Sequence, residues 1–334
     1  MPVLIIAEAG VNHNGDLQTA TEMVTIAAKS GADYIKFQTF NAANLVTPES
    51  KIAEYQKSFA NFDDSQLTLL KKLELSKSDH LTLIEKCKIS GINFLSTAFD
   101  VESVDLLAEL GQDLFKIPSG EITNLPYLRH IGSLKKEVIL STGTSTLKEI
   151  EEALEQLVKS GTMLEKITVL HCTSAYPAPM AEVNLSAMQS IAKEFGVKIG
   201  YSDHTLGIEI AIAAAALGAS IIEKHFTLDR KMDGPDHKAS LEPDELFEMI
   251  KSIRNIEIAL GNGIKVPTAG ELENIKVIRK SIVAKVTINK GEKFTTENLT
   301  SKRPLGGVSP MKWDAVIGQI ANRDYKPNEM IQID

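Results

Sequence analysis

Residues 198–226 read KIGYSDHTLGIEIAIAAAALGASIIEKHF, and the fold turns on this stretch. Two short runs, KIGYSDH (198–204) and SIIEKHF (220–226), each begin apolar and stop at a polar cluster holding one histidine. Both are too short for independent helices and read as strands. Between them, TLGIEIAIAAAALGA (205–219) is apolar nearly throughout, as a buried helix is. Strand, helix and strand at this spacing make a parallel βαβ unit. His204 and His225 then end neighbouring strands, which lie about 4.8 Å apart.

The same texture recurs along the chain. Eight strand-like runs end in polar residues: LIIAEAG (4–10), YIKFQTF (34–40), NFLSTAF (93–99), LFKIPSG (114–120), EVILSTG (137–143), ITVLHCT (167–173) and the two above. Several are almost continuously apolar, as strands covered on both faces are. Helical segments alternate with them: 16–32, with a 3.6-residue apolar period, 145–161, which opens on Ser/Thr and glutamates and ends at Gly161, and the amphipathic 242–261. Eight such units predict a (β/α)8 TIM barrel over residues 1–262. A doubly wound sheet fits less well, because no Gly-rich dinucleotide fingerprint follows the first strand.

Two regions depart from the repeat. Strands two and three are separated by the long stretch 41–92, whose first part (41–66) reads as an irregular βα loop on the catalytic face. After Gly261, residues 263–276 read as a linker. Residues 277–334 carry short β-prone runs and a turn at Asn289-Lys290-Gly291, which predicts a small, β-rich domain. Fewer than about 60 residues make a marginal core alone, so this domain is expected to pack on the barrel or on a neighbouring subunit.

Bulk composition narrows the function classes. A formal charge of −8 argues against general nucleic-acid binding, which needs a basic face. No apolar run approaches the ~18 residues of a membrane span, and the N-terminus has no basic, signal-like region. Two cysteines, Cys87 and Cys172, make no disulfide framework and fit a reducing, cytoplasmic setting.

Barrel enzymes place their chemistry at the C-terminal strand ends. Here those ends carry hydroxyls at Thr97, Ser119, Ser141, Ser174 and Ser202, with Lys36 and Lys116 beside them. Hydroxyls with one or two ammonium groups are what a phosphate needs, although any one of them could merely cap a strand. His204 and His225 could share Mn²⁺, Mg²⁺, Fe²⁺ or Zn²⁺ acting as a Lewis acid, or each could simply hydrogen-bond in the pocket. Glu8 and Glu121 are candidates for acid–base work, or for ion pairs with Lys36 and Lys116. The loop DGPDHKAS (233–240) adds Asp236, His237 and Lys238. Asn12, His13 and Asn14 crowd the first βα loop. A Schiff-base aldolase using Lys36, Lys116 or Lys224, and a non-catalytic sugar-binding barrel, are the rival readings.

AEAGVNHNG, KFQTF, IPSGEITNLP, LSTG, LHCTSAYP, GYSDHTLG, EKHFT and GPDHKAS, taken together, resemble the sialic acid (nonulosonic acid) synthase family. SIVAKVTINKGEKFTTENLTSKRP resembles that family's C-terminal antifreeze-like (SAF) domain. The resemblance implies a TIM barrel followed by a small β-rich SAF domain. It also implies condensation of phosphoenolpyruvate with an open-chain N-acetylated hexosamine, dependent on Mn²⁺ or Mg²⁺. N-acetylmannosamine would give N-acetylneuraminate; 2,4-diacetamido-2,4,6-trideoxymannose would give N,N'-diacetyllegionaminate. It places the metal on His204 and His225, and phosphoenolpyruvate on Lys36, Thr97, Lys116, Ser119, Ser141 and Ser202. Ser174 stands where the family often has asparagine, with shorter reach. The sugar falls on Glu8, Gln38, Glu121, Tyr176 and Asp236. Arg303 would arrive from the swapped SAF domain of a homodimer partner.

Overall fold

Eight parallel strands close into one barrel, each hydrogen-bonded to the next and the last to the first. The computed structural model describes residues 2–47, 50 and 65–333. The strands are β1 (Leu4–Gly10), β2 (Tyr34–Thr39), β3 (Asn93–Ala98), β4 (Leu114–Ile117), β5 (Glu137–Ser141), β6 (Ile167–Cys172), β7 (Lys198–Asp203) and β8 (Ile221–His225). All eight lie where the apolar runs predict strands, because a sheet buried on both faces needs apolar residues at successive positions.

Local chemistry ends the helices between them. The helix Leu17–Ser30 starts at Asp16, whose carboxylate accepts from the Gln18 and Thr19 amides, and stops at Gly31 in the left-handed region. Thr146 and Glu149 form a capping box for Leu147–Ser160. The predicted helix over 205–219 is shorter, Glu209–Ala216, because residues 204–208 are drawn into the turn leaving β7.

One apolar cluster lies between the sheet and its helices; a second, of Ile6, Leu95, Ile139, Leu170 and Ile221, plugs the barrel interior. The plug is tight at Gly200, where an added Cβ would lie 2.5 Å from both the Ile221 carbonyl oxygen and Leu170 Cδ2.

In the segment read as an irregular loop, 41–66, Ala42–Leu45 is a short helix and a second, Gln66–Lys71, begins at its last residue; residues 48–49 and 51–64 lie outside the described residues. The chain divides into two compact units, Met1–Gly261 and Asn262–Asp334. The stretch read as a linker, 263–276, enters a helix, Ala269–Ile278, with a Thr268–Glu271 capping box, which runs two residues past it. The second unit holds one antiparallel pair, β9 (Ser281–Ala284) and β10 (Leu299–Lys302), extended by isolated bridges such as Ile288–Tyr325. Its own small core includes Ile282, Phe294, Leu299, Tyr325 and Ile331. Among the described residues, no helix is long and apolar enough to cross a membrane.

Candidate active site

Side chains alternate across a strand, so a residue two positions beyond an inward apolar residue also points inward. Applied to the plug, this builds the site. Above Ile6, Leu95, Ile139 and Ile221 stand Glu8, Thr97, Ser141 and Glu223. Above Tyr34, Leu114, Leu170 and Gly200 stand Lys36, Lys116, Cys172 and Ser202. All eight line one cavity of about 270 Å³. One step further out, Gln38, His204 and His225 line it too, with Ser119, Ser174, Tyr176 and Asp236 from the βα loops.

The same rule sorts the polar strand ends that look equivalent in the sequence. Ser96, Thr142, His171, Asp203 and Lys224 occupy the intervening positions and do not line the cavity. Ser96 bonds to Thr39, which bonds to His80; His171 meets the Val183 carbonyl. His13 and His237 are likewise spent on loop structure: His13 Nδ1 accepts from the Gly15 amide, and His237 Nδ1 pairs with Thr227 Oγ1. Asn12 donates to the Phe226 carbonyl and to Ser240 Oγ.

One predicted residue is not brought into this cavity. Glu121 is absent from its lining and accepts a 2.6 Å hydrogen bond from Asn124 Nδ2. Arg303 belongs to the second unit, where it is exposed. Glu223 is the reverse case, central to the site yet given no role by the sequence reading. Its signal is its place two residues before His225 on the same strand face.

Charge is concentrated on the floor. Lys36 Nζ lies 2.6 Å from Glu8 Oε2, 3.7 Å from Glu223 Oε2 and 2.9 Å from Thr97 Oγ1. Lys116 Nζ lies 3.4 Å from Glu223 Oε1, which accepts from Ser202 Oγ at 2.9 Å. All four charged groups are buried. Burial drives Glu8 up to about 7, against the pull of Lys36 and with Glu223 adding to the rise. Glu223 is buried as well, but two ammonium groups, Lys116 and Lys36, outweigh that and hold it below the usual carboxylate range. The two carboxylates are thereby pushed apart, one poised to exchange a proton near neutrality and one held anionic.

Two glycines mark where the wall converges. A Cβ on Gly143 would fall 2.0 Å from Ser174 Oγ and 2.9 Å from Ser119 Oγ, and the Gly143 amide donates to Ser119. A Cβ on Gly10 would meet Glu8, Gln38 and Asp236 at 3.2, 3.4 and 3.6 Å. Opposite the polar floor, Val11, Leu69, Leu70, Leu73 and Phe99 form an apolar side of the mouth.

The two histidines meet, with ring centroids 5.5 Å apart, and the Tyr176 ring lies 4.2 Å from that of His204, tilted by 32°. His204 Nδ1 lies 2.8 Å from the Thr173 carbonyl, which can only accept, so Nδ1 carries the proton and Nε2 keeps its lone pair. Among the described residues, His225 Nδ1 and Ser141 Oγ are buried without a hydrogen-bond partner. Burial lowers the pKa of both histidines, keeping them neutral at pH 7, the form that ligates metals. This donor set fits a divalent ion held by two imidazoles. Among the described residues no third His, Cys, Asp or Glu completes a ligand cluster, which leaves positions for substrate oxygen and water.

Comparison with known proteins gives the following likenesses. Residues 23–265 match the NeuB family and residues 279–334 the SAF domain. The chain is 56% identical to the N,N'-diacetyllegionaminic acid synthase of Campylobacter jejuni, over 98% of each chain. It is 47% identical to the enzyme of the same name from Legionella pneumophila, over 95% of this chain and 90% of that one. Among solved structures, an N-acetylneuraminic acid synthetase from Leptospira borgpetersenii superposes with a TM-score of 0.71 at 38% identity, covering 82% of this chain and 90% of that one.

Proposed function

We propose a function from one premise: the chain belongs to the NeuB family and ends in a SAF domain. It is a nonulosonic acid synthase that condenses phosphoenolpyruvate with an open-chain N-acetylated hexosamine and water, releasing phosphate. The names of the relatives at 56% and 47% identity favour the 2,4-diacetamido-2,4,6-trideoxy sugar and a diacetyllegionaminate product. N-acetylmannosamine is the second reading, favoured by the likeness to the Leptospira neuraminate enzyme. One observation carries the proposal. Two lysines, a ring of hydroxyls, a carboxylate titrating near neutrality and paired neutral histidines line a single cavity at the C-terminal strand ends.

His204 and His225 would hold Mn²⁺ or Mg²⁺, and the ion, when bound, polarises the sugar carbonyl. Lys36 and Lys116, with Thr97, Ser119, Ser141 and Ser202, hold the phosphate and carboxylate of phosphoenolpyruvate and keep them in place through the reaction. C3 of phosphoenolpyruvate attacks the aldehyde carbon, whose oxygen takes up a proton and becomes a hydroxyl. Positive charge then develops at C2, next to the anionic Glu223. Water adds to C2 and gives up a proton; Glu8, inside the cavity and titrating near 7, is better suited to receive it than Glu121. The C2–O bond to phosphate then breaks as the new C2 hydroxyl passes its proton to the departing phosphate, leaving the keto acid and hydrogen phosphate. Gln38, Tyr176 and Asp236 orient the sugar.

The SAF domain of a partner chain covers the barrel mouth and brings Arg303 to the acetamido group. Exposed apolar side chains on the second unit, Val277 and Met311 among them, are suited to a partner contact. Cys87 and Cys172, both buried free thiols, suit a reducing cytoplasm.

The direct test is phosphate release with phosphoenolpyruvate and each sugar in parallel, before and after EDTA. Release that needs both substrates, stops with chelator and returns with Mn²⁺ supports the reading. Borohydride trapping of a substrate on a lysine would overturn it in favour of a Schiff-base aldolase.

A further inference from the structure

Asp203 and Lys224 sit opposite each other in the β7–β8 register, each immediately before one of the two histidines. Neither lines the cavity, and both side chains are 0% exposed. They therefore face outward from the barrel, on the side the helices cover. Lys224 Nζ lies 2.9 Å from Asp203 Oδ2 and also donates to the Thr205 carbonyl. Asp203 Oδ1 accepts from the Thr205 amide at 2.9 Å and from its hydroxyl at 2.7 Å. Thr205 is thus gripped at its amide, hydroxyl and carbonyl by one ion pair. His204 lies between two residues of that network, and His225 follows the third.

Stability alone is a weak account of such a pair. Removing two charges fully from water costs about as much as their attraction returns, and apolar residues of similar size often serve as well. What the pair supplies is geometry. It ties two strand ends together, and its bonds fix the backbone on both sides of His204. We propose that the Asp203–Lys224 pair is a positioning element that sets the spacing of His204 and His225, and through it the affinity of the two-histidine site for a divalent cation. This rests on the metal reading above.

The test uses the full chain and the double variant Asp203→Leu/Lys224→Met, which removes both charges without leaving one buried alone. Mn²⁺ affinity is measured by the EPR signal of free Mn²⁺, coordination by the visible spectrum of bound Co²⁺, and folding by thermal melting. The expected result is a cooperatively folded protein with Mn²⁺ Kd weakened roughly 10-fold or more and a changed Co²⁺ spectrum, as when supporting partners of metal ligands are lost. An unchanged Kd and spectrum in the folded double variant overturns the proposal alone. Wild-type protein that binds no Mn²⁺, or whose Kd is unmoved by His225→Ala, overturns the metal reading and the proposal with it. If the double variant does not fold, Thr205→Val replaces it, removing one bond to Asp203 and keeping the ion pair. Weakening of about threefold is then expected, and no change overturns the proposal.

Discussion

Glu8 and Glu223 differ in role because of their neighbours. Both are glutamates two positions above an apolar plug residue on adjacent strands, and both are buried. Glu223 answers to two ammonium groups; Glu8 shares Lys36 with it. Replacing Glu8 with Gln keeps the shape and removes the proton acceptor. Turnover is expected to fall by roughly 10²-fold or more, with the phosphoenolpyruvate KM changed far less. Steady-state kinetics with both substrates varied would check this; an unchanged kcat removes Glu8 from acid–base work. This difference is not legible in the sequence. Glu121 ends a strand-like run as plausibly as Glu8, yet it is turned toward Asn124. Glu223 was legible in principle, since its two-residue offset from His225 puts both on one face.

Strands carry most of what the sequence reveals, because alternation within a strand is local and survives any arrangement of its neighbours. Gly200 is the telling position. In β7 it is the inward residue at the level of the plug, and it has no side chain because Leu170 and Ile221 already fill the space. Gly200→Ala must displace a backbone carbonyl or a packed leucine, and is expected to destabilise the fold by about 1–3 kcal/mol. Urea unfolding of the variant measures it directly; a neutral effect would mean that the plug is looser than its contacts imply. The helices were less legible at their ends. Residues 205–208 have helical composition, but the Asp203–Thr205 bonds pull them into a turn.

Two consequences belong to the molecule as a whole. Burial keeps five histidines, His13, His80, His204, His225 and His237, below their ordinary pKa. His13 drops from 6.5 to about 4. At these histidines the unfolded chain binds more protons across that window, so their contribution to stability is complete above pH 6.5 and declines as the pH falls toward 4, while the raised carboxyls of Glu8 and Asp236 act in the opposite sense. For His13 the loss amounts to about 3 kcal/mol. Between pH 7.5 and 4 the melting temperature of the wild type should fall relative to that of His13→Gln, and parallel curves for the two would remove His13 from the pH response. The second consequence concerns the partner chain. If Arg303 completes the site of the other subunit, mixing and refolding His225→Ala and Arg303→Ala chains should restore about a quarter of wild-type activity, read at a sugar concentration too low for Arg303→Ala alone, from heterodimers with one intact site. Arg303→Ala alone should raise the sugar KM. No recovery on mixing would confine each site to one chain.

The fold class was determined by the sequence itself: eight apolar runs at regular spacing, and a changed texture after Gly261, depend only on local residue order. So did the pairing of His204 with His225, since two strands joined by one helix are neighbours. Closure of the barrel decided the rest. Which polar strand ends face the cavity, which of two glutamates holds the charge, and why Asp203 and Lys224 bind each other and leave the cavity to the histidines all follow from burial. Burial sums contributions from residues far apart in the chain, and no local stretch of sequence contains that sum.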